Sequence, residues 1–130
     1  MMDQFLDKKN FIAVVGVSQD LDKWGTKIFN SLKKNGFEVA PINPKYANVN
    51  GEFCYPTLGE VKEKIDLVIL VVPPIVTEKI VVECKEIGIK KIWVQPGSES
   101  EKAIEFCKNN GIKVIYNACF VVDGLKTNFD

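Results

Sequence analysis

Phe11-Ile12-Ala13-Val14-Val15-Gly16-Val17, residues 11–17, is an unbroken apolar run that follows the polar Asn10. A strand with one wet face alternates apolar and polar residues. A strand covered on both faces reads as a continuous apolar run, the mark of a parallel sheet with helices on either side. This stretch therefore predicts a central parallel strand whose exit is marked by a glycine.

The same rhythm recurs outward from it. Trp24 to Lys34 carries Ile28, Phe29 and Leu32 at helical spacing, and Asn35-Gly36 stops that helix where a positive φ is cheap. FEVAPI, residues 37–42, is a second strand ended by Asn43-Pro44. Residues 45–56 read as loop, with Asn50-Gly51 as a turn. Thr57-Leu58-Gly59-Glu60 has capping-box spacing and predicts a short helix to about Lys64. LVILVV, residues 67–72, is the third strand, closed by Pro73-Pro74. A helix over 75–87 ends at Gly88, and a fourth strand spans 89–95. Ser98-Glu99-Ser100-Glu101 predicts a second capping box on a helix to Asn110. After Gly111 comes a fifth strand, 112–117, and a tail holding Cys119, Val121, Val122 and Phe129 that packs back on the body.

Five βα alternations with short connections predict an α/β chain: a three-layer Rossmann-like domain with a five-stranded parallel sheet, order 3-2-1-4-5. The length, 130 residues, suits one domain over 1–130. Ligands in such sheets bind at the carboxyl ends of the strands, where the order reverses.

Composition removes several function classes. Seventeen basic residues balance seventeen acidic ones, and every basic residue is a lysine. Without arginine or a basic excess, nucleic-acid binding has little support. There is no histidine, hence no histidine base, no Ser-His-Asp triad and no histidine zinc site. Cys54, Cys84, Cys107 and Cys119 contain no CxxC pair, so no metal site is expected. Unpaired thiols and a polar, mixed-charge start predict a reduced, cytoplasmic protein without a signal peptide. The longest apolar run, residues 67–76, is too short for a membrane span and is broken by two prolines. Zero net charge permits homo-oligomerisation.

The strand exits carry the candidate site. After the first strand, Gly16, Ser18, Lys23 and Gly25 form a loop that is not GxGxxG but leads into a helix N-terminus. There free N–H groups and the dipole favour an anion. After the second, Asn43, Pro44 and Lys45 stand where NAD enzymes carry an acid for the ribose. An amide and a cation there point to a ribose phosphate, as in coenzyme A or NADP. Val72, Pro73 and Pro74 offer a stiff apolar wall without proline N–H donors. Gln95 and Gly97 follow the fourth strand, and Cys119 is the one cysteine near the rim. No complete catalytic constellation is legible. The readings left open are a CoA-binding module, a small NADP- or NAD-dependent oxidoreductase, and a regulatory protein-interaction domain without a small ligand.

The ordered segments IAVVGVS (12–18), Lys23 with Gly25, GFEVAPINP (36–44), the Gly51 and Tyr55 region, DLVILVVPP (66–74), GIKKIWVQPG (88–97) and GIKVIYNAC (111–119) cover nearly the whole chain. Together they resemble the small CoA-binding proteins of the CoA-binding-domain (YccU-like) type. These are similar to the CoA-binding domain of the succinyl-CoA synthetase α subunit and of NDP-forming acyl-CoA synthetases. The resemblance implies a Rossmann-like fold and non-covalent binding of coenzyme A or an acyl-CoA, as a carrier, sensor or partner subunit of an enzyme chain. It implies Gly16, Ser18, Gly25 and Lys23 on the pyrophosphate side, Asn43, Pro44 and Lys45 on the 3′-phosphate side, and Val72, Pro73 and Pro74 along the nucleotide. Gln95, Gly97 and Cys119 match signature positions. Two departures stand out: VVPPIV after the third strand, and Ala118 where many members carry arginine.

Overall fold

In the computed structural model, which describes residues 2–129, β1 (Phe11–Val15), β2 (Glu38–Ile42), β5 (Leu67–Leu70), β6 (Lys91–Val94) and β7 (Lys113–Ile115) form one all-parallel sheet. The helices are α1 (Met2–Leu6), α2 (Trp24–Lys34), α3 (Pro74–Ile87) and α4 (Glu101–Asn109). The period-two alternation of β1 explains its unbroken apolar run. Ile12 and Val14 join a core with Phe5, Ile28, Phe29, Leu32, Trp93 and Phe120 on one face. Ala13 and Val15 join a second with Val81, Cys84, Ala103 and Cys107 on the other. Helices α1 and α2 cover the first face, α3 and α4 the second. The three layers follow from that division.

The spatial order is β2-β1-β5-β6-β7. The parallel sheet and the reversal beside the first strand are as expected. The LVILVV segment, however, lies directly against β1, with Val15 paired to Leu70. The place outside the second strand, expected for a third strand, is taken by Tyr55, through a parallel bridge to Ile42. Counted with Tyr55 as the third element, the chain follows 3-2-1-4-5 and adds β7 at the edge. Counted by the long strands alone, it runs 2-1-3-4-5. Apolar content could not distinguish these, since the strands on both sides of β1 carry buried apolar residues, Ala40 to Ile42 in β2 and all of β5.

Three local expectations change. Residues 45–56 contain a small antiparallel hairpin, β3 (Asn48–Val49) and β4 (Glu52–Phe53), turned at Asn50 and Gly51 with φ of 50° and 86°. Both central residues at positive φ make the turn that favours Asn-Gly. The helix expected over 57–64 is one 3₁₀ turn, Leu58–Glu60. There the Thr57 hydroxyl donates to the Glu60 carboxylate instead of capping a backbone N–H. Val61 then extends, and Asp66 is pinned by its N–H to the Phe11 carbonyl at 2.9 Å. The α4 cap is Ser100, accepting from the Ala103 N–H at 3.2 Å, two residues beyond the expected Ser98. Ser98 is diverted to another loop, described below. Helix α3 starts with Pro74 at its first position and ends on Gly88 at φ 85°, as the proline and glycine positions dictate.

The strands are shorter than their apolar runs, and the residues left over form the loops at their carboxyl ends. Beyond β7 the tail folds into one π-type turn, Phe120–Gly124, that buries Phe120 and Val121. Trp93 meets Phe120 edge-on at 4.9 Å and Phe5 at 6.0 Å, joining the tail to the N-terminal helix through the core. No described helix is long and apolar enough to cross a membrane.

Candidate functional site

The exits of β1, β2, β5, β6 and β7 lie along one edge of the sheet because all five strands are parallel. At the first exit three backbones meet. Gly16 turns the chain at φ 105° and donates its N–H to the Ile42 carbonyl at 2.9 Å. A Cβ at Gly16 would stand 2.1 Å from the Val71 carbonyl oxygen, and one at Gly25 would stand 2.1 Å from the Gly16 carbonyl oxygen. Helix α2 can rest on the first loop only because both positions lack a side chain. Gly25 is therefore a packing glycine, buried beneath the loop rather than open to a ligand.

The loop from 17 to 26 is held from both ends. Ser18 N–H donates to the Thr26 hydroxyl at 3.1 Å, and that hydroxyl donates to the Ser18 carbonyl at 2.7 Å. The Ser18 hydroxyl accepts from Asp20 N–H at 2.9 Å. Lys23 is the N-cap of α2 and its side chain supplies no cap to the first-turn N–H groups of the helix. The positive end of the helix and the exposed Lys23 ammonium thus lie together at this corner, a combination that favours an anion. Gln19 donates to the Asn48 carbonyl at 2.9 Å and ties the loop to the β3–β4 hairpin.

Asn43 clasps the second exit to the first. Its amide N–H₂ donates to the Val17 carbonyl at 2.8 Å, and its amide oxygen accepts the Lys45 N–H at 2.9 Å. Its own N–H donates to the Tyr55 carbonyl at 2.9 Å. The Asn43 side chain is thus spent on the protein and positions Lys45 next to the first loop. The side chains of Lys23 and Lys45 are exposed, and neither ammonium has a partner among the described residues. Pro44, between Asn43 and Lys45 in the chain, is exposed as well.

A second network holds the other half of the edge. Val72 N–H donates to the Ser98 hydroxyl at 3.0 Å, and the Thr77 hydroxyl donates to the Ser98 carbonyl at 2.8 Å, which explains why Ser98 is not the helix cap. Pro73 and Pro74 form the exposed start of α3. Gly97, at φ 93°, donates to the Glu99 carboxylate at 2.7 Å. Gln95 is only 5% exposed; its amide oxygen accepts the Phe120 N–H at 2.7 Å and its amide nitrogen donates to the Cys119 sulfur at 3.4 Å. The Trp93 indole N–H donates to the Ala118 carbonyl at 2.9 Å, and Cys119 N–H to the Asp123 carboxylate at 2.7 Å. Gln95, like Asn43, is a positioning residue.

Between the two networks opens a cavity of about 370 Å³, lined by Trp24, Val71, Gln95, Cys119, Val122 and Phe129 among others. Phe129 stands edge-on to Trp24, with ring centroids 5.4 Å apart. Of the residues singled out by sequence, Gln95 and Cys119 line this cavity. Gly16, Ser18, Lys23, Gly25, Asn43, Pro44 and Lys45 gather around the neighbouring loop. Val72, Pro73, Pro74 and Gly97 border the β5 and β6 exits. Sequence reasoning missed Thr26, Ser98, Trp24 and Phe129. Thr26 lies one residue past Gly25 and was accessible to a search for hydroxyls in the first turn of the helix. The meeting of Trp24 with Phe129, 105 residues apart in sequence, left no local signal.

Of the other three thiols, Cys84 and Cys107 lie in the core beneath α3 and α4, and Cys54 is buried with its Sγ donating to the Asn43 carbonyl at 3.6 Å. Burial pushes Cys107 up to about 11. Burial raises Cys84 further, helped by the neighbouring Cys107 and Glu83. Burial also raises Cys54, partly offset by a backbone hydrogen bond of Asn43 that lowers it.

A family model described as CoA binding domain matches residues 10–124. An ADP-forming acetate–CoA ligase of Methanocaldococcus jannaschii is 36% identical over 87 residues, 67% of this chain and 12% of that protein. The α subunit of an ADP-forming acetate–CoA ligase II of Pyrococcus furiosus is 36% identical over 93 residues, 71% of this chain and 20% of the subunit. The chain thus spans a fifth or less of the length of these two curated relatives. Among solved structures, a conserved hypothetical protein from Pyrococcus furiosus superposes with a TM-score of 0.83 at 38% identity, covering 87% of this chain and 97% of that one.

Proposed function

The chain belongs to the CoA binding domain family, and on that premise we propose that its carboxyl-edge loops bind coenzyme A or an acyl-CoA non-covalently. The observation that carries the reading is the extent of the family match, residues 10–124, which takes in every loop of the edge. The geometry supports it. The uncapped first turn of α2, with Ser18 and Lys23, suits the pyrophosphate. Lys45, held by Asn43 against the first loop, suits the 3′-phosphate. Val72, Pro73 and Pro74 border the path of the nucleotide. In this reading Gly16 and Gly25 act by letting the loop and helix approach, and Gln95 by fixing the Cys119 segment. The chain works as a carrier, sensor or partner subunit, in a reducing, cytoplasmic setting suited to its four free cysteines.

Thermal shift with CoA, acetyl-CoA, 3′-dephospho-CoA, NAD, NADP and ATP tests this, because stabilisation grows with ligand concentration over its dissociation constant. CoA should raise the midpoint and the nicotinamide cofactors should not. CoA should bind several-fold more tightly than 3′-dephospho-CoA, and Lys45→Ala should narrow that gap. A flat response to CoA would overturn the reading. Equal binding of the two forms by the native chain would overturn the role of Lys45 alone.

A further inference from the structure

The cavity between the two loop networks is lined by neither Lys23 nor Lys45. Its walls are the indole of Trp24, Val71, Val122 and the ring of Phe129, with Gln95 and Cys119 at the strand ends. The Gln95 amide is already engaged at both ends, by Phe120 N–H and by the Cys119 sulfur, so it offers little to a polar guest. The one charge among the lining residues is negative: the Asp123 carboxylate, which accepts the Cys119 N–H. The mouth is apolar yet wet, with Trp24 59% and Val122 48% exposed. Such a concave, mostly apolar space with satisfied polar groups is the form of a small-ligand subsite. Trp24 is both a wall of the cavity and the first residue of α2, next to Lys23. A ligand whose phosphates sit on that helix N-terminus therefore has the cavity beside it.

We propose that this cavity is the seat of the acyl group of a neutral, aliphatic acyl-CoA, with Phe129 forming its wall against Trp24. The inference rests on the CoA reading above and adds to it a selectivity. An aliphatic chain gains by leaving water against Trp24, Val71 and Val122. An acyl group ending in a carboxylate is repelled by Asp123 and gains nothing. Free CoA leaves the cavity wet.

Titrations followed by tryptophan fluorescence test this with free CoA, acetyl-CoA, hexanoyl-CoA, succinyl-CoA and hexanoyl-pantetheine, which lacks the nucleotide. The second tryptophan, Trp93, is fully buried, so a change that disappears in Trp24→Phe reports the cavity. Hexanoyl-CoA should bind about tenfold or more tightly than free CoA, from the burial of its methylenes. Succinyl-CoA should bind no more tightly than free CoA, and the Trp24 signal should accompany the hexanoyl ligands. Equal affinity for CoA and hexanoyl-CoA would overturn the subsite and leave the CoA reading standing. A Trp24 response to hexanoyl-pantetheine with no binding of CoA would uphold the apolar subsite and overturn the nucleotide reading. No response to either hexanoyl ligand would overturn the subsite. Val122→Trp, which fills the space, should bring the ratio of the two affinities toward one.

Discussion

Two glycines nine residues apart determine whether the first loop can exist. Gly25 is the clearer case, because its φ needs no special freedom and only space is at issue. A methyl group there would lie 2.1 Å from the Gly16 carbonyl oxygen, well inside contact distance, and the obstacle is backbone, which cannot swing aside. Gly25→Ala should lower stability by about 1–3 kcal/mol, the usual range for overpacking. It should also weaken CoA binding, since α2 must withdraw from the loop it supports. Urea denaturation beside a CoA titration checks both, and unchanged stability would show that the helix has room to move. The glycine itself was legible in the sequence, as was its place at the helix start. Its neighbour was not: the spacing Gly16 to Gly25 departs from GxGxxG, and local spacing alone cannot reveal a contact between a helix and the preceding loop. Asn43 teaches the same lesson. Its position after a strand marked it, but its amide serves the Val17 carbonyl rather than a ligand.

Among the elements, α4 shows how a motif can be right in kind and wrong in place. Both Ser98 and Ser100 precede an apolar helical pattern, and each is followed by an acidic residue. Only Ser100 caps, and its hydroxyl also donates to the Glu78 carboxylate of α3 at 2.6 Å. Ser100→Ala should cost about 0.5–2 kcal/mol, as N-cap losses do. Its effect should appear as fraying of α4, read by amide hydrogen exchange at Ala103. Ser98→Ala should leave that amide protected and expose the Val72 N–H instead. Protection unchanged at Ala103 in the Ser100 variant would refute the cap. The 57–64 segment failed for a related reason. Its Thr57 and Glu60 side chains bond each other, so neither serves the backbone, and the helix stops after one turn. Strands and long helices were legible because burial on both sheet faces forces continuous apolar runs and helical burial forces a 3.6-residue period. Short elements lack enough residues to show either.

For the whole molecule, the face of the sheet covered by α3 and α4 holds a titration that should appear as pH-dependent stability. Cys84 and Cys107 are fully buried, and burial keeps their thiols protonated beyond the ordinary range, Cys107 up to about 11. An unfolded thiol ionises near about 8.5. Between those values the unfolded chain gives up protons that the folded chain keeps, so stability falls as pH rises. Their contribution is complete below about pH 8.5 and declines through about pH 11. Denaturation midpoints measured from pH 8 to 11 should fall, and less steeply in a C84A/C107A variant; equal slopes would refute the assignment. The sequence by itself determined the α/β class, the five parallel strands, the loops gathered at their exits and the family to which the chain belongs. Each of these is written in the hydrophobic period, the strand exits or an ordered set of short motifs. Tertiary structure alone decided which strand lies beside β1, which polar side chains are spent holding loops together, and that Phe129 closes on Trp24 to shape a cavity. Those outcomes depend on contacts between residues far apart in the chain, and burial makes residues apolar without recording which neighbour buries them.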